Sequence, residues 1–273
     1  MMNLAEYRRR SQSLADFLPW AALVEQGVIL NKDGSLQRTA RFRGPDLDSA
    51  TAAELVAITS RLNNALRRLG SGWAIFVEAQ RLPANHYPDS RFPDPASSLV
   101  DAERRAQFEE EGAHFENRYF LTLVWLPPAD DAARAEAWLY EGRSGKESDW
   151  RGALAAFIDR TDRVLALIED FMPEAAWLDD SDTLTYLHSC ISTRRQRVRV
   201  PETPMHLDAI LVDEDVTGGL EPRLGRAHLR TLTIMGFPSQ TWPGLLDALN
   251  RLAFPYRWST RAICLDKTEA TKV

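Results

Sequence analysis

The stretch Val28-Ile29-Leu30-Asn31-Lys32-Asp33-Gly34-Ser35-Leu36-Gln37-Arg38-Thr39-Ala40-Arg41-Phe42 decides the fold. Two strand-forming runs flank Asn31 to Gly34. An Asp-Gly pair tolerates the left-handed backbone that a tight hairpin turn demands, so the segment reads as an antiparallel β-hairpin. Gly44-Pro45 ends its second strand.

Outward from the hairpin, Asp48 or Ser49 is the expected N-cap of a helix. Leu55, Ile58, Leu62, Leu66 and Leu69 recur there at helical spacing, and Gly70 supplies the stop. Trp73 to Val77 is the next strand, followed by an irregular excursion marked by Pro83, Pro88, Pro93 and Pro95. Ser98 caps a charged helix from about Leu99 to His114, whose glutamates and arginines describe a solvated face. Tyr119 to Leu126 is apolar on both faces and reads as an inner strand.

Beyond the weakly patterned residues Ala129 to Lys146, a second long helix places Leu154, Phe157, Ile158, Thr161, Leu165 and Ile168 on one face. A third helix starts near Ser181 with Leu184, Leu187 and Ile191 inward. Asp208 to Val212 and His228 to Phe237 read as strands, Trp242 to Leu252 as a helix capped by Thr241, and Tyr256 to Leu265 as a last strand. Hairpins mixed with crossovers predict an α+β protein: mainly antiparallel or mixed sheets with helices layered on one face. A boundary between Pro173 and Ser181 predicts two subdomains, 1–176 and 177–273. Asp266-Lys267-Thr268-Glu269 resembles the opening of a further helix with only four residues after it, so the chain reads as the front of a longer protein.

Composition narrows the function. With 26% charged and 44% hydrophobic residues the chain is ordinary globular material. A net charge of −6 argues against nucleic acid as a partner of the bulk surface. Two distant cysteines, Cys190 and Cys264, build no disulfide or zinc framework and suit a reducing cytoplasm. No signal peptide or membrane-spanning helix is legible: the apolar stretch from Leu14 to Leu30 is broken by Asp16, Pro19, Glu25 and Gly27. Phe17, Leu18 and Trp20 in that stretch are candidate partner contacts, at a membrane surface or against another protein; packing onto their own domain is the simpler account.

Few constellations carry chemistry. Gly142 to Glu147 looks like a phosphate-binding loop but lacks its first glycine and its magnesium-binding hydroxyl, Glu147 standing in the hydroxyl's place. Asp213-Glu214-Asp215 fits no EF-hand spacing and reads as a strand-terminating turn. His188-Ser189-Cys190 is no nucleophile set, because neighbours on a helix diverge by about 100°. No catalytic, cofactor-binding or metal-binding residue is therefore assigned. Arg194, Arg195, Arg197 and Arg199 crowd the end of the third helix. Favourable charge at a helix C-terminus explains them simply; docking onto an acidic partner, lipid head groups or nucleic acid is the sharper reading. Trp20, Trp138 and Trp150 are the tryptophans best placed for interfaces.

A resemblance ties these strings together. Leu18-Pro19-Trp20-Ala21-Ala22-Leu23-Val24, Arg41-Phe42-Arg43-Gly44-Pro45-Asp46-Leu47, Thr185-Tyr186-Leu187-His188-Ser189-Cys190-Ile191-Ser192-Thr193-Arg194-Arg195, Thr241-Trp242-Pro243-Gly244-Leu245-Leu246-Asp247 and Tyr256-Arg257-Trp258-Ser259-Thr260-Arg261 are similar to the N-terminal region of the CagE/TrbE/VirB family, the ATPases of type IV secretion and conjugal transfer. The resemblance runs from Leu14 to Lys272. It implies an assembly and docking region in front of a RecA-like motor domain that this chain does not contain, with ATP and magnesium expected only in that motor. It further implies hexamers at the cytoplasmic side of the inner membrane, contacting a small membrane subunit of the TrbD type and other inner-membrane components. A fragment of the complete ATP-hydrolysing protein is the alternative, and a stand-alone small-molecule enzyme a third.

Overall fold

The computed structural model describes residues 13–46, 49–84, 86–110, 114–127, 148–234, 236, 239–242, 244–266 and 270–271. A one-turn helix α1 (Leu14–Phe17) leads into β1 (Trp20–Glu25), and the predicted hairpin follows as β2 (Val28–Asn31) and β3 (Leu36–Arg43). Helix α2 (Ala52–Leu66), β4 (Trp73–Pro83), α3 (Pro95–Glu110), β5 (Phe115–Trp125), α4 (Ser148–Glu169), β6 (Glu174–Trp177) and α5 (Asp180–Ser189) come next. The chain continues through α6 (Leu207–Leu211), three two-residue strands β7 (Val216–Thr217), β8 (Arg223–Leu224) and β9 (Ala227–His228), a 3-10 turn (Asp247–Arg251) and β10 (Tyr256–Ile263).

Seven strands form one antiparallel sheet in the order β1-β2-β3-β5-β4-β10, with β6 also paired to β3. The fold is α+β, as the hairpin predicts. β5 is the inner strand that its apolar run requires, lying between β3 and β4. Its alternate residues feed two cores. Leu121 and Leu123 join Val28, Leu30, Leu36 and Ile75 under α2 and α4. Phe120 joins Trp20 and Ile29 under α5 and α6. Helices α2 and α4 thus share one face, while the short helices α5 and α6 cover the other. A strand buried on both faces must be apolar in both phases, which is why β5 shows no alternation.

The first core centres on stacked rings. Phe157 is fully buried, with its ring 5.6 Å from Trp73 and 6.4 Å from Trp125. Helix α2 opens on a capping box: Thr51 donates its amide to Glu54 at 2.7 Å and accepts the Glu54 amide on its hydroxyl at 3.3 Å. The cap thus falls at Thr51, just past the expected Asp48 or Ser49. At the other end of the sheet, Arg38 stacks over Trp177 at 4.3 Å and ion-pairs with Asp162 at 2.6 Å, tying β3 and β6 to α4.

The turn between β1 and β2 needs Gly27. Its φ of 67° is left-handed, and a side-chain carbon there would strike the Leu178 carbonyl oxygen. Its amide donates to Asp180 at 2.7 Å, so this turn is docked on the start of α5.

Several expectations fail downstream. Residues 207–211 are helical, not a strand: Leu207 and Leu211, four apart, are both buried beside Leu184 and Leu187. Short apolar runs fit either period, and here the i,i+4 spacing wins. Of the strand expected over His228 to Phe237, only His228 is paired among the described residues, and Leu232 and Ile234 stand exposed without regular structure. The helix expected over 242–252 shrinks to the 3-10 turn, because Gly244 takes a φ of 85° that an α-helix cannot accept. Strand β10 pairs with β4 along its full length, so the sheet draws on both sides of the boundary expected at 176/177.

Replacing Phe157 with alanine should cost about 3–5 kcal/mol of unfolding free energy, because it empties the centre of the aromatic stack. Urea denaturation followed by tryptophan fluorescence reads this directly, and a loss below about 1 kcal/mol would show the stack is not the core.

Candidate functional site

The site begins with helix α5. Asp179 caps it by accepting the Asp182 amide at 2.7 Å, and Leu184, Leu187 and Tyr186 turn inward onto the sheet. The Tyr186 ring lies 4.5 Å from that of Phe120. Past the helix the chain doubles back along it. The Val198 amide donates to Thr185 Oγ1 at 3.0 Å, Ser181 Oγ donates to the Val198 carbonyl at 2.9 Å, and Arg197 Nε donates to Ser181 Oγ at 3.0 Å.

An acidic pair pins the bend. Glu214 accepts the Thr193 amide at 2.6 Å and its hydroxyl at 2.8 Å, while His188 Nε2 sits 3.1 Å from Asp213 Oδ2. These contacts answer what the acidic run 213–215 does: its first two carboxylates are struts. Among the described residues no His, Cys, Asp and Glu cluster is arranged to hold a metal.

Between this doubled-back segment and the sheet lies a cleft of about 510 Å³. One wall carries Arg194, Arg195 and Arg197. The other carries Arg41 from β3, Arg118 from β5 and Arg257 from β10; Arg81 of β4 is also on the lining, but its guanidinium turns to the opposite face of the sheet, toward Leu252 and Asn117. Among the described residues Asp182 is the single acidic side chain on the lining, and Leu82 and Phe120 give it an apolar floor. Three arginines are neutralised: Arg257 by Glu78 at 2.5 Å, Arg118 by Glu116 at 2.6 Å, and Arg194 loosely by Asp213 at 3.8 Å. Arg41, Arg81, Arg195 and Arg197 pair with no carboxylate among the described residues. Arg81 meets only neutral acceptors, the Leu252 carbonyl at 2.9 Å and Asn117 at 3.3 Å.

Titratable groups beside the cleft are held in inert states. Burial, reinforced by neighbouring Cys190 and Glu78, raises the Tyr186 phenol, so it stays protonated. Burial pushes the Cys190 thiol up to about 12, against the opposing pull of Arg257. Its Sγ donates to the Tyr186 carbonyl at 3.3 Å, while His188 turns away to Asp213. No nucleophile-and-base pair results.

Sequence-predicted residues fall out unevenly. Arg194, Arg195 and Arg197 come together in the cleft; Arg199 is exposed and off its lining. Leu18 and Trp20 are 6% and 8% exposed, held in the second core by strand β1, which the sequence reading missed. Both are thus core residues here rather than surface contacts. Phe17, 69% exposed, is the one of the three that faces solvent. Trp150 packs against the first core, and Trp138 and the Gly142–Glu147 loop lie outside the described residues. Among the described residues no helix is long and apolar enough to cross a membrane. Arg41, Arg81, Arg118 and Arg257 were missed because they are far apart in sequence. Strand register, with Gln80 opposite both Arg118 and Arg257 and Phe120 opposite Arg41, brings three of them onto one face.

The struts titrate. Hydrogen bonds from Thr193 lower the Glu214 carboxyl. For Asp213 burial raises, but the nearby Ser192, His188 and Arg194 side chains outweigh it, leaving the carboxyl low. Groups lowered on folding stabilise above their unfolded pKa, about 4, and that contribution is lost as pH falls through the folded value. Hydrogen-exchange protection of the Thr193 amide should therefore persist at pH 6 and vanish on acidification below about pH 4. In Glu214→Ala it should be absent at pH 6; equal protection in the variant would show that Glu214 does not hold the bend.

The sequence matches the family described as "Type IV secretion system ATPase VirB4/TrbE, N-terminal domain" over residues 27–133, the span from β2 through β5. It is 37% identical to the conjugal transfer protein TrbE of Rhizobium radiobacter across 99% of this chain and 35% of that protein. It is 45% identical to a probable conjugal transfer protein TrbE of Sinorhizobium fredii, over 46% of this chain and 87% of that one. The type IV secretion system protein virB4 of Bartonella henselae is 21% identical over 97% of this chain and 35% of its own length. The chain thus spans about a third of the Rhizobium protein that it matches end to end. With identity this high along its whole length, the chain belongs to the VirB4/TrbE family of type IV secretion ATPases, to whose N-terminal region it corresponds.

Proposed function

We propose that this chain is the assembly and docking region of a conjugation-type secretion ATPase, linking a motor to inner-membrane components for DNA or protein transfer. The observation that carries the reading is the arginine-lined cleft. It concentrates charge and a mixed apolar wall but aligns no nucleophile with a base, which suits holding a partner rather than transforming a substrate. ATP hydrolysis, with its magnesium, is assigned to a motor region outside these residues. The chain is placed at the cytoplasmic face of the inner membrane as a peripheral element, next to a small TrbD-type subunit and within a hexamer. The match to the Rhizobium protein occupies only 35% of that protein, which leaves room for such a motor in a relative of that length.

The tagged 273-residue chain, co-expressed with the inner-membrane components of its transfer system, should sediment with membranes and retrieve the small membrane subunit. Purified alone, it should turn over ATP no faster than a buffer blank. Recovery only in the soluble fraction with no subunit attached would sink the docking role, and sustained ATP turnover would sink the division of labour.

A further inference from the structure

We propose that the arginine-lined cleft receives a short acidic peptide segment, carboxylates interleaved with an apolar side chain, contributed by another component of the apparatus. This rests on the docking reading above and names the chemistry of the partner.

Charge comes first. Seven arginines meet one aspartate around a cavity of about 510 Å³. Three of them, Arg41, Arg195 and Arg197, find no carboxylate among the described residues, while Arg81 turns its guanidinium to the other face of the sheet. Like charges crowded beside an apolar wall repel more strongly than they would in open water. An anion seated among them relieves that repulsion.

The lining then selects the anion. Among the described residues it contains no lysine and no glycine. Phosphate cradles are commonly made of backbone amides at glycine-rich turns or helix N-termini, with lysine as a point charge. Guanidinium forks match carboxylates and phosphates alike, two bonds at a time, so the selection rests on the rest of the wall. Leu82, Phe120 and Tyr186 add apolar and aromatic surface that a bare phosphate would leave unused. The volume is that of a small-ligand pocket, enough for a few peptide residues and too short for a tract of nucleic acid.

Backbone supplies the third argument. Residues 195–197 lie outside any sheet or helix, and among the described residues their main-chain groups make no backbone hydrogen bond. An extended peptide laid beside them gains main-chain bonds as well as ion pairs, as in strand addition. Both walls are set in advance. Arg257 is fixed by Glu78 and the Ser189 carbonyl, and Thr193 by Glu214. Little ordering is left for the peptide to impose.

Fluorescence anisotropy of a labelled hexapeptide alternating aspartate and leucine, titrated with the intact chain, tests this. Binding should weaken at least tenfold in Arg195→Glu/Arg197→Glu and in Arg41→Glu on the opposite wall, and should fall several-fold from 50 to 300 mM salt. Arg199→Glu, off the lining, should bind like wild type. Circular dichroism melts confirm that each variant is folded, and Arg195, Arg197 and Arg41 are exposed enough for substitution to be tolerated. No binding, equal loss in Arg199→Glu, or displacement of the peptide by lower concentrations of pyrophosphate than of unlabelled peptide would each overturn the assignment. The membrane co-purification assay separates the two ideas. If Arg195→Glu/Arg197→Glu still retrieves the membrane subunit, docking stands and the cleft is not its seat. If wild type binds peptide but retrieves nothing, the cleft chemistry stands and the docking role falls.

Discussion

A carboxylate in the middle of a covered sheet face must be paired or it destabilises everything around it, and Glu78 is such a carboxylate. It is 8% exposed on β4. Arg257 Nε donates to it at 2.5 Å, Gln80 at 2.7 Å and the Tyr186 hydroxyl at 3.3 Å. The same guanidinium reaches the Ser189 carbonyl at 2.5 Å, one of the orphan acceptors at the end of α5. One ion pair therefore fixes three elements that lie far apart in the chain: β4, β10 and the exit of α5. Removing the arginine alone would leave Glu78 charged in a poorly solvated place, the costly way to break such a pair. A joint replacement of both partners by apolar groups would cost far less stability while still opening the cleft wall.

That constraint explains why the cleft lies where it does. β10 is the edge strand, and it stays in register with β4 across eight pairs. Arg257 near its start is thereby set opposite the end of α5, beside the Phe120 and Tyr186 rings that meet at 4.5 Å. The other face of the sheet carries the Phe157 stack and helices α2 and α4, and contributes rigidity rather than surface. Division of labour between the two faces follows from alternation along β5, whose Leu121 and Leu123 serve one core and whose Phe120 serves the other.

Local signals were legible and distant ones were not. The Asp-Gly turn, the Leu55-to-Leu69 stripe and the two-faced apolar run of β5 each specify structure within a few residues, and each appears in the fold. Strand β1 was hidden because Trp20 to Glu25 carries no alternation, only a run that register with β2 turns into a strand. The Leu207–Leu211 helix was misread because five apolar-rich residues satisfy both periods. Residues 229–234 show the converse: alternation alone makes no strand when no neighbouring strand offers it hydrogen bonds. Half of the cleft was visible as Arg194, Arg195 and Arg197. The rest depends on register between strands up to about 180 residues apart, and one sequence carries no marker for that.

The whole-chain charge of −6 points away from an anion site, and the structure shows why that sum misleads. Many carboxylates are used as internal struts. Glu78 holds Arg257, Asp162 holds Arg38 and the Trp177 ring nitrogen, Asp180 holds the Gly27 amide, and Asp213 and Glu214 hold the bend after α5. Each still counts as negative, yet little of that charge faces the cleft. Ionic screening acts over about 8–10 Å in physiological salt, so carboxylates on the far face of the sheet contribute little to the potential inside it. The local field is set by the residues on the lining, where arginines outnumber acids seven to one. Net charge predicts solubility and bulk association; it does not predict a site whose charges have been sorted by the fold.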